Sequence, residues 1–152
     1  MIRIWALLAA LAGLFAAPAL STAAWRVVGP GIAVHEARSG KAALSVECLG
    51  QGIVLGLYDL TLPFDHEERI DLVIDGSAFQ MRMYGSGDRI VLSDADAADG
   101  GLDVSQAVLG ALKSGSQARL DGPSVQGLEA DAVSFRLMGS ARAIDNVARH
   151  CG

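Results

Sequence analysis

Ile70-Asp71-Leu72-Val73-Ile74-Asp75-Gly76-Ser77-Ala78-Phe79-Gln80-Met81 is the stretch whose alternation decides the fold class. An Asp-Gly pair between two alternating runs is a strong hairpin signal, because the favoured two-residue turn needs residues that tolerate positive φ. With Asp75-Gly76 as the turn, Ile74 pairs with Ser77, Leu72 with Phe79 and Ile70 with Met81, while Asp71 meets Gln80. The apolar residues thus share one face, although the turn alone did not require it. The stretch predicts an antiparallel hairpin laid against a core.

The same alternation recurs on both sides of the hairpin. Short strands are predicted at residues 25–28, 32–36, 42–48, 53–60, 70–74, 78–84, 89–93, 118–121 and 133–138, each bounded by turn residues. Residues 103–113 break the pattern: Val104, Val108, Ala111 and Leu112 follow helical spacing, Asp103 can cap, Lys113 suits the C-terminal end and Gly115 can terminate. A second helix is predicted over 140–151, with Ser140 as N-cap and Ile144, Val147, Ala148 and Cys151 on one face. The order of elements predicts a mainly β, single-domain antiparallel β-sandwich with these two helices.

The N-terminal residues have a different character. Arg3 precedes an apolar run over residues 4–17, Pro18 ends it, and Thr22-Ala23-Ala24 supplies small residues before Trp25. This is the layout of a cleavable secretory signal over residues 1–24, with Ala19 and Ala23 as neighbouring cleavage points. A bilayer span needs about 20 apolar residues, and this run is shorter. No cysteine stands at the cleavage point for lipid attachment. The expected location is periplasmic or secreted, with no stable membrane insertion after signal cleavage.

Removing 24 of the 152 residues leaves 128, the size of one ordinary domain, residues 25–152. Losing Arg3 leaves 11 Lys and Arg against 17 Asp and Glu, a net charge near −6. Such a surface repels phosphates and anionic headgroups, which argues against nucleic acid as a partner.

Two cysteines remain. In residues 42–48, Leu44, Val46 and Cys48 share one parity and Ser45 and Glu47 the other, so Cys48 faces the core. Cys151 lies on the apolar face of the last helix. Both thiols point inward, and in an oxidising compartment a Cys48–Cys151 disulfide is the expected outcome. Two buried free thiols or a catalytic cysteine are the alternatives; there is no CxxC and no histidine adjoins Cys48.

Asp94, Asp96, Asp99 and Asp103 form the densest carboxylate cluster and could offer oxygen ligands to Ca²⁺. Their spacing is not that of an EF-hand, since Ala98 stands at the fifth position and no Glu at the twelfth, so a solvated acidic loop is the simpler expectation. Asp65, His66, Glu67 and Glu68 lack the HExxH spacing, and neighbours on a strand point to opposite faces. There is no GxSxG, and Lys41 has no upstream glycine at phosphate-loop spacing. His35 and His150 read as surface or helix-end residues. The six aromatics after residue 24 are too scattered for a stacking platform and are expected mostly in the core. No cofactor or catalytic residue is assigned.

The order of elements resembles small exported proteins of Gram-negative bacteria. The resemblance lies in Trp25-Arg26-Val27, the strand from Leu44 to Cys48, Val73-Ile74-Asp75-Gly76, and the ending Phe135-Arg136-Leu137-Met138-Gly139-Ser140-Ala141-Arg142-Ala143-Ile144 before Cys151. It is similar to the invasion-associated locus B type and to the type VI secretion accessory type called VasI or TagO. The locus B pattern usually carries additional cysteines absent here, and the lone pair matches the second type better. The resemblance implies a periplasmic β-sandwich and transfers no site residues. The expected function is a non-enzymatic binding or accessory module of the cell envelope, associated with secretion, whose partner is an envelope or secretion protein. An inhibitor of a cationic enzyme is the nearest alternative, and a small hydrolase using Asp65, His66 or Glu67 the more distant one.

Overall fold

The computed structural model describes residues 24–60, 62–95 and 103–152. The predicted signal segment, apart from Ala24, lies outside them, as do Asp96 and Asp99. All nine predicted strands form: β1 (Arg26–Gly29), β2 (Ile32–Glu36), β3 (Ala43–Leu49), β4 (Gly52–Tyr58), β5 (Glu67–Ile74), β6 (Ser77–Gly85), β7 (Ile90–Asp94), β8 (Gln117–Asp121) and β9 (Ser134–Arg136). The hairpin has the expected register, from Ile74 opposite Ser77 to Ile70 opposite Met81. Asp75 and Gly76 both have positive φ, 46° and 89°. The Asp75 carboxylate also accepts the N–H groups of Ser116 and Gln117, at 2.8 and 3.0 Å, so the turn fastens the start of β8.

The fold is mainly β and antiparallel, as expected, and the strands are hydrogen-bonded in one order, β1-β2-β3-β4-β7-β6-β5-β8-β9. The sheet stays open but folds over on itself. β2 lies against β9, and the N–H groups of Arg38 and Ser39 donate to the carbonyls of Ser134 and Asp131, both at 3.1 Å. Its two halves therefore face each other across a common core, as in a sandwich, while remaining a single open sheet. Leu44, Leu55 and Leu57 from one half and Leu72, Met81 and Phe135 from the other are fully buried in that core.

The helices are α1 (Gln106–Ser114) and α2 (Ser140–Ala148). Asp103 is not the cap of α1: Ser105 is, its hydroxyl accepting from Val108 N–H at 3.3 Å. Asp94 in turn accepts from Ser105 N–H at 3.1 Å. Gly115 ends the helix by donating to the Ala111 carbonyl at 2.8 Å. Ser140 is likewise the first residue of α2 rather than its cap, which is Gly139. Its buried hydroxyl instead donates to the Leu112 carbonyl at 2.6 Å and ties α2 to α1. α2 stops at Ala148 because the next turn tightens, with His150 N–H bonding Val147 and Cys151 N–H bonding Ala148. That turn delivers Cys151 to Cys48; the disulfide joins Cα atoms 5.4 Å apart across 103 residues.

Because neighbouring strands are antiparallel, one end of the sheet gathers the exit of β4, the entry of β5, the β6–β7 connection and the exit of β8. Gly85 there lets the chain after β4 come close: a Cβ at Gly85 would strike the Pro63 carbonyl, and Phe64 bridges to Gly85. These crossings place the site described next.

Candidate functional site

The β4–β5 segment and the 3-10 turn Pro123–Val125 stand on either side of a slot of about 250 Å³ at this end of the sheet. Met83 and Ile90 form its floor, Leu60 and Leu62 one side, Val125 and Leu128 the other, and Asp59 and Ser124 are its polar members. Asp59 and Asp65 bracket the first wall, both in the left-handed region at φ 64°, which aspartate tolerates better than most residues. Phe64 in this segment is 72% exposed and Leu128 39%. The expectation that the aromatics are mostly core holds for Phe135, with Trp25 and Phe79 packed against the core, and fails at Tyr58, Tyr84 and Phe64, the last because Gly85 draws the backbone of residues 62–64 over the sheet end while the ring stays outside.

His66, Glu67 and Glu68 separate by parity. Glu67 turns to Arg82, 3.8 Å away, while His66 and Glu68 share the other side, with Nε2 to Oε2 at 3.3 Å. Glu68 also accepts both the N–H and the hydroxyl of Ser124, 56 residues on, at 3.1 and 2.5 Å. Burial pushes the Glu68 carboxyl up, but the two Ser124 bonds and His66 outweigh it and hold the carboxyl below the usual glutamate range. A histidine, a carboxylate and a hydroxyl thus meet beside the slot. Their order is not that of a nucleophile relay: the carboxylate is in the middle, His66 makes no bond to Ser124, and a depressed carboxylate is a poor base for a hydroxyl. What Glu68 does is clamp the 3-10 turn to β5 and fix the second wall of the slot. Asp65 is exposed and has no ion pair among the described residues.

At the acidic cluster, Asp94 Oδ2 accepts the N–H of the α1 cap residue Ser105, and the Asp94 N–H donates to the Asp103 carbonyl at 3.3 Å. Asp103 is exposed beside Gly52. Among the described residues no three His, Cys, Asp or Glu side chains lie together as a metal site.

Two polar groups missed by alternation are buried. Ser45 and Glu47 do lie on the face opposite the core, yet they are 0% and 3% exposed. The Glu47 carboxylate accepts from Ser45 at 2.5 Å and Tyr58 at 2.9 Å, and pairs with Arg89 at 3.0 Å. Gly56 makes the room, since a Cβ there would collide with both Ser45 and Glu47. Burial, together with the Glu47 hydrogen bond and charge, pushes the Tyr58 phenol up to about 12. Burial works against the Arg89 charge, but Glu47, Tyr58 and Asp88 together outweigh it and raise its pKa. His35 is also inside, opposite Leu44 on the core face and 2% exposed. It stacks on Trp25, ring centroids 5.4 Å apart. Burial lowers its basicity, as does Arg136, against the Ala24 carbonyl and Glu36. Its placement as a surface residue is therefore corrected; the parity shared with Ala33 was the available signal. His150 is exposed, as expected, and bonds the Asn146 carbonyl.

No family model, curated protein or solved structure matches the chain.

Proposed function

We propose that the chain is an exported binding or accessory module of the cell envelope that works by contact with a protein partner and not by catalysis. The observation that carries this reading is the slot with Phe64 and Leu128 exposed on the segments that form it. Large apolar side chains held out by a firm scaffold are the usual anchors of protein interfaces. The disulfide fits a periplasmic or secreted location. No helix among the described residues is long and apolar enough to cross a membrane, in keeping with a module released from its signal. The link to secretion rests on the resemblance to type VI accessory proteins.

The test is crosslinked capture from the native envelope, with wild type and Phe64→Ser compared by mass spectrometry. Phe64 is exposed, so its loss leaves the core intact. Recovery of a defined envelope or secretion component by wild type, reduced at least tenfold by the variant, supports the reading. Equal recovery by both removes Phe64 from the interface. Recovery instead of a cationic enzyme whose activity falls with added protein establishes the inhibitor.

A further inference from the structure

We infer that the slot between the β4–β5 segment and the Pro123–Val125 turn is a receptor for one apolar side chain of a partner protein, with a lysine or arginine beside it in the partner chain. This inference rests on the binding-module reading and names what that site takes.

Size comes first. About 250 Å³ is below the roughly 300 Å³ at which sites for drug-sized ligands begin, so the slot suits a single bulky side chain. The lining is next. Six of its eight described lining residues are apolar, and of the two polar ones Ser124 commits both its N–H and its hydroxyl to Glu68. Among the described residues no lining side chain offers a free donor to an anion. Only Asp59 retains a polar function: it is exposed and makes no ion pair among the described residues. No arginine is among the described lining residues, and Arg89 and Arg82 on neighbouring strands pair with Glu47 at 3.0 Å and Glu67 at 3.8 Å. The lining thus presents an apolar hole with one negative charge. Its complement is an apolar side chain next to a cationic one.

The walls are fixed in advance. Glu68 holds the 3-10 turn, and Gly85 lets the opposite segment pack against the sheet end. A hole that is already formed loses little to ordering when it is filled.

Selection of a phage-displayed random heptapeptide library on the full exported chain tests this, followed by NMR with the best selected peptide. The expected result is enrichment of Leu, Ile, Met or Phe adjacent to Lys or Arg, with shifts centred on Leu62, Met83, Ile90 and Leu128. Leu128→Trp, which fills the slot from its exposed side, should weaken the peptide at least tenfold. Asp59→Asn keeps a residue that tolerates positive φ and should cut the preference for the cationic neighbour about fivefold. An amide spectrum like that of the wild type shows that each variant is folded. No enrichment, or shifts mapping elsewhere, overturns the assignment. So does Leu128→Trp capturing the same envelope partners as wild type, an outcome that leaves the binding reading standing. If wild type captures no partner while the library still selects slot ligands, the envelope reading fails and the slot assignment holds.

Discussion

At the residue scale the largest electrostatic commitment is Glu47. Three donors converge on one carboxylate that is almost fully buried, so removing a donor and removing the acceptor have different costs. Tyr58→Phe deletes one bond and leaves Ser45 and Arg89 in place; a loss of about 1 kcal/mol in urea unfolding is expected. Glu47→Ala strips the Arg89 guanidinium of its buried counter-charge, leaving only exposed Asp88, and should cost about 3 kcal/mol. The Tyr58 pKa carries its own signature. The fold favours the neutral phenol, so that contribution is complete below the ordinary tyrosine pKa of about 10 and is lost as pH rises through about 12. Phenolate absorbance should show a step near 12 that Tyr58→Phe removes.

At the element scale two fastenings hold parts that local propensity cannot. The first is the disulfide. It closes a separation of 103 residues, and in the chain-entropy model a loop of that size contributes about 4–5 kcal/mol. The double variant Cys48→Ser with Cys151→Ser should lose stability of that order. Hydrogen exchange should rise first in α2, whose attachment to β3 then rests on packing alone. The second fastening is Glu68 on Ser124. The carboxyl is held below its ordinary range, so the stabilisation is present above that range and is lost as pH falls through it to the folded value. Ser124→Ala should cost about 1–2 kcal/mol at neutral pH and flatten the acid side of the stability profile, read by urea unfolding from pH 3 to 7.

For the whole molecule, the decisive step is the folding over of the sheet, which brings nine short strands into two facing halves around one core. The proposed export is tested at this scale too, because a disulfide such as Cys48–Cys151 persists chiefly in oxidising compartments. The exported protein is expected to begin at Trp25 and to yield one non-reduced peptide linking Cys48 to Cys151. Intact mass and a non-reduced peptide map check both. A first residue well before Trp25 would mean that the N-terminal segment is retained.

The hairpin at Asp75-Gly76, the nine strands and the inward parity of Cys48 were all legible from residue order, since each follows from periods of two and from turn residues acting over a few positions. Helix caps were less legible, because Ser105 competes with Asp103 locally and Asp94 arrives from another element to decide the matter. The slot was out of reach. Its walls join Leu62 to Leu128, its clamp joins Glu68 to Ser124, and it exists only because β7 inserts between β4 and β6. Glu47 makes the same point from the opposite face: alternation assigned its side correctly, but burial depended on Gly56, Tyr58 and Arg89 arriving from other strands. Residue order by itself determined the elements and the faces they bury, through local sterics and periodicity. The tertiary structure alone decided which distant polar groups share one space, because that depends on strand order and on how the sheet folds over, which no local period encodes.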